Sequence, residues 1–506
     1  MGIGDFLTKH TFYTPDKVAM IIDDKEHTFR QLNERTNRAA NFLLEKGIKK
    51  GDRVSALLFN CSEFLEVYFA AAKIGAIFVP LNYRLAPGEL EYQLNDCGSR
   101  LLVLHDDFVD VVEMIHSRVP VEKDKFLVVG ENVPGWGLKY EETVGRYSSE
   151  EPVQEKPVEW EDPQAIMYTS GVTGNPKGAL LSHRKTLFNA LNSDFTMRLG
   201  LDDIFLSPLP LFHSGGLFIV ATPTLFRGAT FITYRKFDSQ KILKTIEKYR
   251  VTVFFALTTM LNFIVKNESL DDYDLSSLRL FLGGGERTPL TMIEEFARRG
   301  LYMQTGFGQT ENSVLLFLPE KDVIRKKGSL GIPVFFCDVR ICDESGRFVG
   351  PNEVGEIVVK GHTMMLGYWN RPEETVRTIV DGWLHTGDLG YCDEEGYFYF
   401  VDRIKDMYRS GGENVYPAEV EKILASHPKV MNVSIIGVPD PKWGETGKAL
   451  IVLKENESIT LEEIHAYLQG RVARYKFPAQ LELVGSFPMT ESGKVKKSAL
   501  KDIYGK

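Results

Sequence analysis

One segment of the chain carries a dense set of groups that could bind an anion. It reads Tyr168-Thr169-Ser170-Gly171-Val172-Thr173-Gly174-Asn175-Pro176-Lys177-Gly178. Glycines let the backbone approach an anion and turn its N–H groups inward, and the hydroxyls and the lysine can bind phosphate oxygens. It is not a Walker loop, because Lys177 is followed by glycine rather than by serine or threonine. Taken alone, the pattern fits either a phosphate-binding loop or an exposed polar loop.

Further segments carry the side chains that nucleotide and acid chemistry uses. In chain order they are Pro210-Leu211-Phe212-His213, Gly283-Gly284-Gly285-Glu286, Gly306-Phe307-Gly308-Gln309-Thr310-Glu311, Trp383-Leu384-His385-Thr386-Gly387-Asp388, Asp402-Arg403-Ile404-Lys405-Asp406 and Gly493-Lys494. Each of them alone is also typical of ordinary structure, such as a surface acid, a core phenylalanine or an Asx turn. Their order along the chain is the stronger signal.

In that order, the segments resemble the motifs of the acyl-adenylate-forming superfamily, which includes acyl-CoA synthetases, luciferases and peptide-synthetase adenylation domains. The resemblance covers most of the chain. It implies an enzyme that adenylates a carboxylic acid with ATP, releasing pyrophosphate, and then transfers the acyl group to coenzyme A, releasing AMP. Because no carrier domain is evident in the chain, free coenzyme A is the expected acceptor.

The resemblance also implies an ATP site and a magnesium site. The implied ATP and AMP contacts are Thr169, Ser170, Gly171, Thr173, Gly174, Lys177, Gly284, Gly285, Glu286, Gly306, Phe307, Gly308, Thr310, Glu311, Asp388, Arg403 and Lys494. Glu311 is expected to bind Mg²⁺, which prefers hard oxygen ligands. Phe307 offers a ring to adenine, and Asp388 can accept hydrogen bonds from the ribose hydroxyls with Arg403 beside it.

Four residues are expected to serve the chemistry itself: Lys494, Glu311, Thr173 and His213. The resemblance makes Lys494 the bridge between the carboxylate and the α-phosphate, and places His213 on the acid side. Positioned cations and donors stabilise the charge that develops during phosphoryl transfer. Val172 departs from the family pattern, which commonly has a hydroxyl residue there, so one side-chain contact to phosphate is lost.

The second half-reaction is assigned to a mobile C-terminal domain. Lys405 is the implied hinge, and rotation about it would bring the loop from Arg409 to Asn414 into the site in place of Lys494. Arg409, Gly411 and Gly412 are the implied contacts of coenzyme A, with the two glycines leaving width for a pantetheine arm.

The acid pocket is the least readable part of the sequence. By resemblance it is built from His213 onward, from residues 251–257 and from the stretches around Gly283 and Gly306. The apolar residues there are Phe212, Leu217, Phe218, Val220, Phe254, Phe255, Ala256 and Met260. No cation stands out to hold a second carboxylate, so a medium- to long-chain fatty acid is predicted.

Two alternatives to a fatty-acid ligase stay open. One is an aryl-acid CoA ligase of the coumarate or benzoate kind, which would use the same residues around a shorter and flatter pocket. The other is a non-catalytic nucleotide-binding protein with the same fold. The presence of Glu311, Asp388, Arg403 and Lys494 argues against a non-catalytic protein.

The elements that must position these residues are predicted to alternate between strand and helix over most of the chain. This pattern predicts an α/β fold with parallel sheets and crossover helices. We expect a large N-terminal domain, residues 1–402, of two βα-layered subdomains plus a small antiparallel β-barrel. A small mobile α+β domain, residues 403–506, is expected to follow and to carry Lys494. A polar stretch, residues 147–162, is predicted to be a linker.

Composition excludes several classes of protein. The 506 residues carry a net charge of −9, which argues against a surface that binds nucleic acid. Five cysteines, an odd number without zinc spacing, favour a reducing cytoplasmic setting over a disulfide scaffold. No signal peptide or membrane span is predicted, and the apolar run 64–80 is expected to form a buried helix and strand. A homodimer and a transient contact with a membrane surface stay open.

Overall fold

The computed structural model describes residues 1–169, 176–284, 289–410, 413–441, 443–469, 471–472, 474–490 and 494–505. Its helices are α1 Asp5–Tyr13, α2 Phe29–Glu45, α3 Ser62–Ile74, α4 Pro87–Cys97, α5 Val109–Glu113, α6 Tyr140–Val144, α7 His183–Met197, α8 Thr222–Arg227, α9 Ser239–Tyr249, α10 Thr258–Asn267, α11 Leu290–Ala297, α12 Pro372–Thr378, α13 Pro417–Leu424, α14 Leu461–Leu468 and α15 Lys497–Tyr504. A π-helical segment, Gly215–Ala221, runs directly into α8.

The strands are β1 Val18–Ile22, β2 Lys25–Thr28, β3 Arg53–Leu57, β4 Ile77–Pro80, β5 Ser99–His105, β6 Phe126–Val129, β7 Leu138–Lys139, β8 Pro163–Thr169, β9 Lys177–Ser182, β10 Ile204–Leu206, β11 Thr230–Thr233, β12 Val253–Leu257, β13 Leu280–Gly284, β14 Met303–Gln309, β15 Ser313–Phe317, β16 Ile332–Pro333, β17 Cys337–Cys342, β18 Gly355–Gly361, β19 Gly367–Tyr368, β20 Ile379–Val380, β21 Trp383–Cys392, β22 Phe398–Arg403, β23 Tyr408–Ser410, β24 Glu413–Val415, β25 Val430–Asp440, β26 Gly444–Leu453 and β27 Gln480–Leu483.

Two large sheets confirm the predicted α/β class. One has the order β16-β15-β14-β13-β12-β10-β11-β1-β2, and the other β19-β9-β8-β4-β3-β5-β6-β7. Within the order β11-β10-β12-β13-β14 neighbouring strands pair in parallel, as do β3 with β4 and β5, whereas β15 joins β14 antiparallel. Between these strands the chain crosses over through helices such as α3 and α9, which is how parallel strands are connected.

Local sequence explains where the helices begin and end. The apolar run 64–80 forms α3 and β4 as predicted, and Gly75 ends α3 in a left-handed conformation with φ of 72°. Thr28 caps α2 in a capping box with Gln31. Ser182 caps α7 by accepting a hydrogen bond from the Lys185 N–H, in agreement with the cap predicted there.

The polar stretch 147–162 contains no helix or strand, but it is anchored to the neighbouring helices. Glu151 accepts hydrogen bonds from the Lys73 ammonium on α3 at 2.6 Å and from the Asn33 amide on α2 at 2.8 Å. Lys73 is buried, so this ion pair fixes the middle of the stretch. The segment predicted as a linker is therefore held by polar contacts that have no periodic sequence pattern.

The chain forms two compact units, Met1–Val339 with Val359–Leu384, and Arg340–Val358 with His385–Lys506. The predicted antiparallel β element is a five-stranded sheet, β17-β18-β21-β20 with β22 beside β21, and its strand order is open. The unit boundaries lie within β17, β18 and β21.

The smaller unit has its own core. The long antiparallel hairpin of β25 and β26 carries β27 in parallel on its other edge, and α13 packs on β25. Its buried side chains include Val420, Ile435, Ile451 and Leu468. These elements match the helix–strand–strand–helix order predicted after residue 403.

The compact division differs from the predicted boundary at residue 402. Residues 385–402 group with the smaller unit because they are bonded to it: the Ile404 N–H donates to the Gly387 carbonyl, and the Ala418 N–H of α13 donates to the Asp402 carboxylate at 2.8 Å. The pattern of helix and strand residues in the sequence changes only after residue 403. The boundary of the compact unit lies earlier, because β21 pairs with β22 in one hairpin. The limits of the moving body stay a prediction.

Among the described residues, no helix combines the length and the apolar character that a bilayer crossing needs.

Candidate active site

Two motifs that lie 142 residues apart meet in the larger unit. Thr169 ends β8 and is the register partner of Lys177, which begins β9. Glu311 lies in the turn between β14 and β15. The Thr169 hydroxyl donates to the Glu311 carboxylate at 3.5 Å, so the end of the predicted phosphate loop faces the predicted magnesium ligand.

Tyr368 completes this cluster, although no motif of the sequence marks it. Its hydroxyl donates to Glu311 Oε1 at 3.0 Å, and burial, followed by the Glu311 charge, raises the pKa of Tyr368. The Lys177 ammonium lies 5.3 Å from the centroid of the Tyr368 ring and pairs with Glu374 of α12. Tyr368 lies on β19, which pairs with β9, so its place depends on sheet pairing between distant residues.

The turn that carries Thr310 and Glu311 is tight. Asn312 Oδ1 accepts a hydrogen bond from the Gln309 N–H at 2.9 Å, and Ser313 adopts a positive φ of 58°. A Cβ on Gly308 would lie 1.8 Å from the Ser313 carbonyl oxygen, so this position requires glycine. The backbone therefore fixes the direction in which Glu311 leaves the sheet.

The residues predicted for adenine lie at the ends of neighbouring parallel strands. Gly284 ends β13 and is buried, whereas Gly306 and Gly308 on β14 are exposed. Phe307 between them is half-buried. The two exposed glycines therefore present backbone at the carboxyl end of β14, which is the edge where ligands bind in open α/β sheets.

His213 lies in the turn before the π-helical segment and is exposed. Its Nδ1 accepts a hydrogen bond from the Gly215 N–H at 3.1 Å, and its carbonyl accepts one from the Leu217 N–H. These contacts hold the imidazole at the start of the segment predicted to form the acid pocket.

In the smaller unit, Asp388 and Arg403 are register partners on β21 and β22. The Asp388 carboxylate is buried and lies 3.4 Å from the Arg403 guanidinium, whose side chain is 44% exposed. Gly387 has a φ of 72°, a left-handed conformation that favours glycine in this turn. The structure thus brings together the two residues predicted to bind ribose.

Glu356 holds this turn and was not predicted. One carboxylate oxygen accepts a hydrogen bond from the Gly387 N–H at 2.8 Å, and the other lies 2.7 Å from His385 Nδ1. The Thr386 hydroxyl donates to the Ile357 carbonyl and accepts from the Asp388 N–H. Gly355-Glu356 lies about 30 residues before the turn, so only the pairing of strands reveals the contact.

The residues predicted for the two half-reactions also lie in the smaller unit. Lys494 is exposed, and its N–H donates to the Thr490 hydroxyl at 3.0 Å. The Lys405 carbonyl accepts a hydrogen bond from Lys501, and Arg409 is exposed on β23 beside Glu344. Lys497, three residues after Lys494, is half-buried and pairs with Glu421 at 2.7 Å.

Several predicted site residues lie outside the described residues. They are Ser170, Gly171, Thr173, Gly174, Gly285, Glu286, Gly411 and Gly412. Their assigned roles stay predictions from the sequence.

The structure also reveals an interior cation that the sequence analysis overlooked. Lys185 on α7 is fully buried, and its ammonium donates to the Ser313 hydroxyl and lies 5.4 Å from the centroid of the Phe218 ring. Burial lowers the pKa of Lys185 to about 7. Phe218 is one of the residues predicted to line the acid pocket. Lys185 is therefore a cation beside the predicted pocket, where the sequence motifs indicated none.

The Glu311 cluster suits a hard cation. Both contacts to its carboxylate come from neutral hydroxyls, and no lysine or arginine in the described part of the chain forms an ion pair with it. A carboxylate and hydroxyl oxygens form the donor set that Mg²⁺ prefers. Lys177 adds a positive charge nearby, as the binding of polyphosphate requires.

Comparison with known proteins gives matches along nearly the whole chain. Residues 7–369 match the AMP-binding enzyme family, and residues 419–494 match the AMP-binding enzyme C-terminal domain. A feruloyl-CoA synthase of an Amycolatopsis species is 39% identical over 507 residues, covering 100% of this chain and 99% of that protein.

Two further relatives widen the range of acids. A long-chain-fatty-acid–CoA ligase of Mycobacterium tuberculosis is 36% identical, with 95% of this chain and 94% of that protein covered. The structure of o-succinylbenzoate coenzyme A synthetase from Bacillus subtilis, in complex with ATP and magnesium ion, superposes with a TM-score of 0.87 at 32% identity, covering 98% of this chain and 99% of that one.

Proposed function

The chain belongs to the AMP-binding enzyme family of acid–CoA ligases, and on this premise we propose that its acid substrate is an aryl acid. The enzyme adenylates the acid with ATP and then forms the thioester with coenzyme A. The observation that carries the adenylation site is the meeting of Thr169, Tyr368 and Glu311 in one cluster. The feruloyl-CoA synthase relative and the buried Lys185 beside Phe218 favour an aryl acid over a fatty acid.

In the first half-reaction, the acid carboxylate attacks the α-phosphorus of ATP and pyrophosphate leaves. Lys177 and the loop before it bind the phosphates, and Asp388 with Arg403 holds the ribose hydroxyls. With help from Thr169, Glu311 would hold Mg²⁺, which would supply positive charge to the phosphate oxygens. The Lys494 ammonium lies between carboxylate and phosphate, and His213 faces the acid.

In the second half-reaction, the thiol of coenzyme A attacks the acyl carbonyl and AMP leaves. The body from residue 403 to residue 506 rotates about Lys405, which withdraws Lys494 from the site. Arg409 and the two glycines after Ser410 then contact coenzyme A. Arg409 is exposed on β23 and pairs there with Glu344, and a guanidinium is a cation suited to bind phosphate.

Pyrophosphate release with a panel of acids tests the substrate class. Hydroxycinnamates, benzoates and indole acids are compared with saturated fatty acids of eight to sixteen carbons. We expect the best aryl acid to have a kcat/KM at least about tenfold above the best fatty acid, a difference of about 1.4 kcal/mol. A fatty acid that matches or exceeds every aryl acid would overturn the aryl assignment.

A medium- to long-chain fatty acid is the second candidate, favoured by the Mycobacterium tuberculosis relative and by apolar residues such as Phe254 and Leu217. This candidate predicts that specificity rises by up to about 0.8 kcal/mol for each buried CH₂ and then reaches a plateau. An aryl pocket predicts no such rise, so the chain-length series distinguishes the two.

A further inference from the structure

One face of α7 is buried although it is polar. Lys185, Asn189 and Asn192 follow one another at helical spacing and are each fully buried. A buried helix face is ordinarily apolar, since each polar group there must find a partner to offset its lost hydration. A lysine and two amides on such a face therefore require an explanation.

The Lys185 ammonium is only partly satisfied by the protein. It donates one hydrogen bond to Ser313 and lies over the Phe218 ring, and no carboxylate forms an ion pair with it in the described part of the chain. An ammonium has three donors, and the one acceptor described for that of Lys185 is Ser313, while the Glu311 charge acts on it from beyond ion-pair distance. Its remaining donors can therefore bind a further acceptor.

Other buried polar atoms around Lys185 also lack a partner among the described residues. They are Asn189 Oδ1 and Asn312 Nδ2. Asn312 adjoins the Ser313 that binds Lys185, and the Asn189 amide donates to the carbonyl of Phe218, whose ring covers the ammonium. A buried polar group without a partner is costly, so these two amide atoms indicate a place for a polar ligand group.

We propose that Lys185, with the unpartnered amides of Asn189 and Asn312, binds an oxygen substituent of the acid substrate at the end away from the reacting carboxylate. This rests on the proposed function, because the site lies against Phe218 in the segment that follows His213. The chemistry fits a phenolic hydroxyl or a second carboxylate.

Of these two, the structure favours the phenolic hydroxyl. Its oxygen accepts from the Lys185 ammonium and from Asn312 Nδ2, and its O–H donates to Asn189 Oδ1, so one group satisfies donors and acceptors together. A second carboxylate would satisfy only the donors and would have to lose its hydration at a single buried lysine, which costs several kcal/mol.

The test compares matched acids that differ only in the distal group. The kcat/KM for pyrophosphate release is measured with 4-hydroxycinnamate and cinnamate, and with the 4-carboxy analogue as a separate arm. For the native enzyme we expect the hydroxyl to raise kcat/KM at least about tenfold, because a site built to hydrogen-bond a hydroxyl rejects the analogue that lacks it. A ratio below about threefold would overturn the proposal without any variant.

Lys185→Met, which preserves length and removes the donor, should lower the hydroxyl-to-hydrogen ratio to below about threefold, mainly through the KM of the hydroxylated acid. Lys185→Gln keeps a shorter donor and should retain an intermediate ratio. Lys73→Met is the matched control, because Lys73 of α3 is also a buried lysine but pairs with the Glu151 carboxylate. The control should keep the native ratio.

The outcomes separate this proposal from the proposed function. A native preference for fatty acids would overturn both. The native enzyme could prefer aryl acids while a Lys185→Met variant, shown to be folded by its Tm, keeps the native hydroxyl-to-hydrogen ratio. That combination would overturn only the role of Lys185. A gain seen for the 4-carboxy analogue alone would overturn the assignment of a phenolic hydroxyl.

Discussion

The two carboxylates assigned to nucleotide binding lie in opposite electrostatic surroundings. Glu311 is half-buried and is approached by two neutral hydroxyls, from Thr169 and Tyr368. Asp388 is buried, and a guanidinium lies 3.4 Å away, supplied by the strand beside it. Among the described residues no lysine or arginine forms an ion pair with the first carboxylate, whereas the second pairs with Arg403.

This difference corresponds to two kinds of ligand. A carboxylate whose described contacts are neutral hydroxyls can offer its oxygens to a divalent cation. A carboxylate with a partner is held in one orientation and can accept hydrogen bonds from neutral hydroxyls such as those of ribose. The following four variants test this contrast, in order of decreasing effect.

Glu311→Gln should lower the rate of acid-dependent pyrophosphate release by about 10³-fold, since removing a metal ligand costs several kcal/mol of charge stabilisation. The rate should also require more Mg²⁺, as measured by a metal titration. Glu320→Gln, at an exposed position of the same unit, is the control. An unchanged titration with a near-normal rate would contradict the role of Glu311.

Lys494→Ala should lower pyrophosphate release by about 10²-fold, the loss expected when one preorganised charge contact is removed. The same variant should convert a supplied acyl-adenylate and coenzyme A to thioester at nearly the native rate. The two half-reactions are measured separately, with Lys496→Ala at the neighbouring exposed lysine as the control. Equal losses in both steps would rule out domain alternation here.

Asp388→Asn should raise the KM for ATP about tenfold or more with a smaller change in kcat, because hydrogen bonds to a charged acceptor contribute about 1.5–3 kcal/mol. The penalty should disappear with 2′,3′-dideoxy-ATP, which lacks the hydroxyls in question. If the variant loses as much with that analogue as with ATP, Asp388 acts on the fold of the turn and not on ribose.

Tyr368→Phe should weaken the binding of Mg²⁺ about fivefold, so a correspondingly higher Mg²⁺ concentration should be needed. This change corresponds to about 1 kcal/mol for one neutral hydrogen bond. The Mg²⁺ concentration at half-maximal pyrophosphate release measures this effect. Tyr13→Phe, at an exposed tyrosine of α1, is the control. A loss as large as that of Glu311→Gln would show that the hydroxyl binds the ion directly and does not merely orient Glu311.

Sequence reasoning predicted the fold class well, because its signals are local. The alternation of strands and helices, the buried run that forms α3 and β4, and the Ser182 cap can each be read from a few consecutive residues. The boundary of the smaller unit was harder to predict from the sequence. It is set by the pairing of β21 with β22 and not by a change in composition.

Motif order indicated which residues to examine, but not the contacts that support them. Tyr368 and Glu356 contact motif residues that lie 57 and 31 positions away, and no spacing in the sequence marks either of them. Lys185 could have been noticed from its helix, where Lys185, Asn189 and Asn192 share the buried face of α7. A polar face alone does not reveal burial, so the structure was needed.

The π-helical segment Gly215–Ala221 has a consequence for how substrate range can evolve. A π turn holds one residue more than an α turn over the same rise, and such turns are frequent at functional sites. Deleting one residue would convert the segment to ordinary α-helix and turn every side chain before or after it by about 100°, the angle of one α-helical position. Phe218 would then leave Lys185, so a one-codon deletion could change acid specificity while the sheets stay intact.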